Sequence, residues 1–134
     1  MNKAAFLDRD GVINLKAPEG SYITRWDEMQ FLPGVVEAIA MLNRAGFLVI
    51  VVTNQRCIGK GLITAAELEA MHERMRDDLA KAGAFLDGIY YCPHELQAAC
   101  ACRDGTSTVR PAAMITPPTL VMSARRWPFV IDHP

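Results

Sequence analysis

Hydrophobic and polar positions alternate along the chain in blocks. Ala4-Ala5-Phe6-Leu7 is apolar and runs straight into Asp8-Arg9-Asp10-Gly11, which predicts a short buried strand ending in two carboxylates one residue apart. A polar loop containing Tyr22 and Trp26 follows from Asn14 to about Leu32. Pro33-Gly34 opens a helix with Val35, Ile39 and Leu42 on one face, and Gly46 closes it. Phe47 to Val52 is a continuous apolar run rich in β-branched residues, the signature of a parallel strand covered on both faces. Thr64 starts a second helix, with Glu67 completing a capping box. Leu68, Met71, Met75 and Leu79 form its buried stripe, Gly83 ends it, and His72 is read as lying off that stripe on a solvated face. Ile89-Tyr90-Tyr91 is a third, shorter strand. Alternating strands and helices predict an α/β fold, a doubly wound parallel sheet with right-handed crossovers.

Composition narrows the function class. The 134 residues suffice for one domain with a real core; 51% are hydrophobic and the formal net charge is −1. That balance points away from nucleic acid and from acidic membrane surfaces as partners. No apolar run approaches the ~20 residues of a membrane span. The first strand begins almost at once, so no signal peptide is expected, and the expectation is a cytoplasmic monomer. Three of the four cysteines, Cys92, Cys100 and Cys102, cluster around His94. Their pattern, C-x-H-x5-C-x-C, suits tetrahedral Zn²⁺ better than a disulfide framework, and a site with four protein ligands would be structural. Cys57 is left over, a thiol without an assigned role.

Ligands of open α/β sheets bind beyond the carboxyl ends of the strands. Asp8 and Asp10 stand there, where one carboxylate can attack an electrophile, the other can move protons, and both can hold Mg²⁺. Thr53-Asn54-Gln55 ends the second strand, and its hydroxyl, amide and backbone N–H groups suit phosphate oxygens. Gly59-Lys60-Gly61 adds a flexible loop with one cation, a further phosphate contact.

Three separated motifs carry a resemblance: Phe-Leu-Asp-Arg-Asp-Gly-Val-Ile-Asn at 6–14, Val-Val-Thr-Asn-Gln at 51–55, and Asp-Gly-Ile-Tyr-Tyr-Cys-Pro-His at 87–94. Together they resemble the haloacid-dehalogenase superfamily, in its branch of heptose-bisphosphate and histidinol phosphatases, from about residue 4 to Arg103. The resemblance implies Mg²⁺-dependent phosphomonoester hydrolysis on a small phosphorylated metabolite, above all a heptose bisphosphate. Asp8 would be the nucleophile forming an aspartyl-phosphate, and Asp10 the acid and then base. The Asp8 side chain and Asp10 carbonyl would bind Mg²⁺. Thr53 and Asn54 would hold the phosphoryl group; Lys60, from its loop, and Arg103 are further candidate substrate-binding residues. Cys92, His94, Cys100 and Cys102 would form a zinc loop at 92–102.

The resemblance stops after Arg103. Where it implies a lysine, the chain has Asp104, and the stretch 104–134 has no Gly-Asp motif of the kind that completes the Mg²⁺ site. The expected organisation is therefore a phosphatase core at 1–103 and an atypical tail at 104–134, as a frameshift or a truncated variant would produce. Two alternatives stand beside the heptose reading: histidinol-phosphate hydrolysis, and a catalytically impaired, zinc-stabilised fragment that only binds phosphate compounds.

Overall fold

The computed structural model describes residues 3–95. They form three parallel strands in the order β1-β2-β3: β1 is Lys3–Leu7, β2 is Phe47–Asn54 and β3 is Gly88–Cys92. Helix α1, Val35–Arg44, joins β1 to β2, while α2, Arg56–Gly59, and α3, Ala65–Lys81, join β2 to β3. All the predicted elements are present, and β2 runs two residues further than its apolar block, taking in Thr53 and Asn54.

Parallel pairing sets Leu7 opposite Val51, Thr53 opposite Tyr91 and Asn54 opposite Cys92. The C-terminal ends of the three strands therefore share one edge of the sheet. Strand order follows chain order, so right-handed crossovers put α1 and α3 on the same face. Val49 and Val51 of β2 and Ile89 of β3 share one buried cluster with Val35 and Ile39 of α1 and with Leu68, Met71, Met75 and Leu79 of α3. Ile50 and Val52 point the other way and are buried as well. The described residues thus make one face of the expected doubly wound arrangement. Among them, no helix is long and apolar enough to cross a membrane.

Short polar links fix the element ends. The Thr64 side chain accepts from Glu67 N and the Glu67 carboxylate accepts from Thr64 N, the reciprocal cap expected from the sequence. The Asn43 amide pairs with both backbone groups of Phe85, at 2.9 and 2.8 Å, tying the end of α1 to the approach to β3. The connection 14–32 is less of a surface loop than its polarity suggests. Ile23 and Met29 are buried, Trp26–Glu28 forms a 3₁₀ turn, and Arg74 of α3 lies 4.7 Å above the Trp26 ring. Its two ends are pinned together, Leu15 N donating to Gln30 O and Leu32 N to Ile13 O.

Candidate active site

The site is built where β1 ends. Arg9 O accepts from the N–H groups of Val12, Ile13 and Asn14, and Gly11 turns the chain at φ +85°, a conformation that glycine adopts without steric cost. This tight turn brings Asp8, Asp10 and Asn14 together. The two carboxylates then meet quite different surroundings.

Asp10 sits in a ring of side-chain donors. Its Oδ1 accepts from Arg9 Nε at 3.2 Å, Arg9 Nη2 at 3.0 Å and Asn14 Nδ2 at 3.0 Å. Its Oδ2 accepts from Arg9 Nη2 at 3.3 Å and Gln55 Nε2 at 3.1 Å. The Arg9 side chain is fully buried and that of Asp10 is 26% exposed, so solvent reaches this pair from the Asp10 side alone. Gln55 also donates to Thr53 Oγ1 at 2.9 Å, while its Oε1 accepts from the Cys57 thiol at 3.6 Å. The end of β2 is thereby tied to the end of β1 through side chains.

Asp8 is half-buried and accepts a single hydrogen bond among the described residues, from the Arg9 backbone N–H at 2.7 Å. Burial raises its pKa above the ordinary value; the Arg9 N–H opposes this and the Asp10 charge adds to it.

Behind Arg9 stands His72 of α3, with Nε2 3.1 Å from Arg9 Nη1. A guanidinium only donates, so His72 Nε2 accepts and the ring is neutral, with its proton on Nδ1. Burial first, and the Arg9 charge second, push the His72 pKa down to about 3. The solvated-face expectation for His72 is overturned: the residue is 4% exposed. The spacing contained the signal, because 68, 72, 75 and 79 fall on one helical stripe. Arg9 and Asn14 had no assigned role in the sequence reading, and Gln55 was read only as part of the Thr53-Asn54-Gln55 cluster suited to phosphate oxygens. A charged residue set between two carboxylates directly after a buried strand was the available clue to Arg9.

The other expected residues divide by position. Thr53 is 2% exposed and joins the Asp10 network through Gln55, while Asn54 is exposed at the tip of β2. Lys60 is differently placed from the flexible loop envisaged. It follows helix α2, and its Nζ lies 3.7 Å from Glu95 Oε1. Gly59 is not a hinge either: its N–H donates to Pro93 O, and a Cβ there would stand 2.9 Å from that oxygen. Cys92 Sγ lies 3.5 Å from His94 Nδ1, so two of the four expected zinc ligands are neighbours. Cys100, Cys102, Arg103 and the division at 103/104 lie outside the described residues. Among the described residues, no group of three or more His, Cys, Asp or Glu side chains is placed to hold a metal ion.

No protein-family model matches the chain. Curated relatives do match. The chain is 39% identical over 98 residues to the D-glycero-alpha-D-manno-heptose-1,7-bisphosphate 7-phosphatase of Mycobacterium tuberculosis, covering 73% of this chain and 51% of that protein. It is 42% identical over 107 residues to the D-glycero-beta-D-manno-heptose-1,7-bisphosphate 7-phosphatase of Escherichia coli, covering 75% of this chain and 54% of that one. The chain therefore spans about half the length of the curated relatives it matches. Among solved structures, the D,D-heptose 1,7-bisphosphate phosphatase of B. bronchiseptica, complexed with magnesium and phosphate, matches with a TM-score of 0.70 and 39% identity, covering 78% of this chain and 57% of that one. Over this stretch the chain has the fold of the haloacid-dehalogenase phosphatases and is a homologue of their heptose-bisphosphate phosphatase branch.

Proposed function

We propose that the chain's site hydrolyses a phosphate monoester of a small sugar, with D-glycero-D-manno-heptose 1,7-bisphosphate as the substrate. The observation that carries this reading is the unequal treatment of the two carboxylates. Asp10 is held from three side chains, whereas Asp8 accepts one hydrogen bond among the described residues, from a backbone N–H. A nucleophile must be free to reach phosphorus, and a proton carrier must be held in place. The matched heptose-bisphosphate phosphatases support the choice of substrate, and they differ in the anomer named.

In this mechanism an Asp8 carboxylate oxygen attacks phosphorus and the bond from phosphorus to the sugar oxygen breaks. Asp10 delivers a proton to that oxygen. Water then attacks the aspartyl-phosphate, Asp10 takes its proton, and the bond from phosphorus to the Asp8 oxygen breaks to release phosphate. Thr53 and Asn54, at the adjacent strand end, would contact the phosphoryl oxygens. The donors at this edge, the Asp8 carboxylate and the Asp10 carbonyl, are hard oxygens that fit Mg²⁺, which when bound would neutralise phosphoryl charge. Magnesium and phosphate occur together in the matched B. bronchiseptica structure.

The test measures phosphate released from both anomers of the heptose bisphosphate, histidinol phosphate and an aryl phosphate, with millimolar Mg²⁺. The bisphosphate is expected to be the preferred substrate. Losing one preorganised electrostatic partner typically costs ~10²–10³ in rate. With Asp104 where the resemblance implies a lysine, turnover is expected well below the ~10 s⁻¹ of a median enzyme, and Asp104→Lys should raise it. No release from any of the four substrates would refute the reading.

Zinc belongs to the same proposal. The adjacent thiol and imidazole of Cys92 and His94 suit a soft tetrahedral site, which Cys100 and Cys102 would complete. One equivalent of zinc should remain after purification without added metal. Less than about a tenth of an equivalent would contradict the structural occupancy expected of a closed four-ligand site.

A further inference from the structure

His72 is a buried titratable side chain that no step of the proposed reaction uses. We infer that His72 is a positioning residue for Asp10, acting through Arg9: it holds one arm of the guanidinium so that the other arm and Nε keep the Asp10 carboxylate in a single orientation. The inference rests on the reading of Asp8 and Asp10 as the reacting pair.

The geometry supports it in three ways. Arg9 Nη1 is 3.1 Å from His72 Nε2, while Arg9 Nη2 is 3.0 Å from Asp10 Oδ1, so the planar fork spans the two residues. Arg9 is 0% exposed, so bulk solvent does not reach the Nη1 bond; a guanidinium only donates, so the group opposite it must be an acceptor, here the neutral imidazole of His72. His72 is itself held from a second element. Its ring meets the Tyr91 ring of β3 edge-on with centroids 5.9 Å apart, and the Tyr91 hydroxyl donates to Glu69 Oε1 at 2.8 Å. The orientation of Asp10 is thus set by α3 and β3, rigid elements, and not by its own turn alone. Small misplacements of a reacting group reduce rate strongly even when the fold survives.

The experiment compares His72→Leu, which removes the acceptor, with His72→Gln, whose amide oxygen can reach Arg9. Leucine is expected to lower kcat by about 10- to 100-fold, the usual effect of losing an orienting partner, with KM nearly unchanged. Glutamine should restore most of the rate. In parallel, the Asp10 carboxyl-carbon NMR resonance of the unliganded protein should move in the leucine variant and return in the glutamine variant. If the leucine variant does not fold, His72→Asn replaces it, since its oxygen stops short of Arg9. The resonance and kcat should then change as for leucine. An undisturbed Asp10 resonance without the acceptor, or equal loss of kcat in the glutamine and acceptor-free variants, would overturn the inference. Should the wild-type protein release no phosphate, the phosphatase reading fails and the resonance alone decides whether His72 positions Asp10.

Discussion

Asp8→Asn is expected to bring phosphate release down to background while leaving the protein at least as stable as the wild type. The amide lacks the nucleophilic oxygen charge, so no aspartyl-phosphate can form. Its oxygen can still accept from the Arg9 N–H, the one hydrogen bond that Asp8 makes among the described residues. The stability expectation follows from the raised pKa of Asp8. The folded chain binds this proton more tightly than the unfolded chain, so wild-type stability from this group is full at low pH and is lost as pH rises through the folded pKa. A neutral Asn removes that loss, and its advantage should appear above the carboxylate range and disappear in acid. Urea melts at several pH values, together with the phosphate assay, check both parts. Turnover of the variant close to wild type would remove Asp8 from the nucleophile's role.

Asp10→Ala should fail in the opposite manner, by losing stability as well as activity. Arg9 is fully buried, and Asp10 is its carboxylate partner. Removing one member of a fully buried pair strands the other charge, which typically costs ~3–5 kcal/mol; with the Asp10 side chain 26% exposed, the expected loss lies towards the lower end of that range. That is a large part of the ~5–15 kcal/mol available to a domain. Asn14 and Gln55 would lose an acceptor at the same time. Asp10→Asn keeps an oxygen for Arg9 and should fall between alanine and wild type in stability. Equilibrium unfolding in urea gives the ordering directly. An alanine variant within about 1 kcal/mol of wild type, inside the ordinary range for point substitutions, would mean that water reaches the Arg9 guanidinium and that the pair is not sealed.

These two substitutions are expected to separate chemistry from architecture because the two carboxylates have different hydrogen-bond partners. The residue types and spacing alone do not distinguish Asp8 from Asp10, and their separate roles are what the resemblance implies. The structure adds a difference in partners, because the turn after β1 directs Asp10 towards the Arg9 side chain, Asn14 and Gln55, while among the described residues Asp8 accepts from a backbone N–H alone.

Much of the framework was legible along the chain. The apolar blocks at 4–7 and 47–52, the capping pair Thr64 and Glu67 and the stripe Leu68, Met71, Met75 and Leu79 depend on local periodicity and turn chemistry, and they reappear in the fold. Parallel pairing then requires the two polar strand ends to be neighbours, as they are in the fold. The Arg9–His72 contact was not legible, because it joins residues 63 positions apart. Helical spacing could show that His72 is inside, but not that a guanidinium waits there. Likewise, a Gly-Lys-Gly stretch reads as flexible until the sheet brings Pro93 against Gly59 and Glu95 against Lys60. Periodicity is a property of neighbouring residues and survives in the sequence alone; which buried donor meets which acceptor is decided only when strand register and helix packing bring distant residues within hydrogen-bond range.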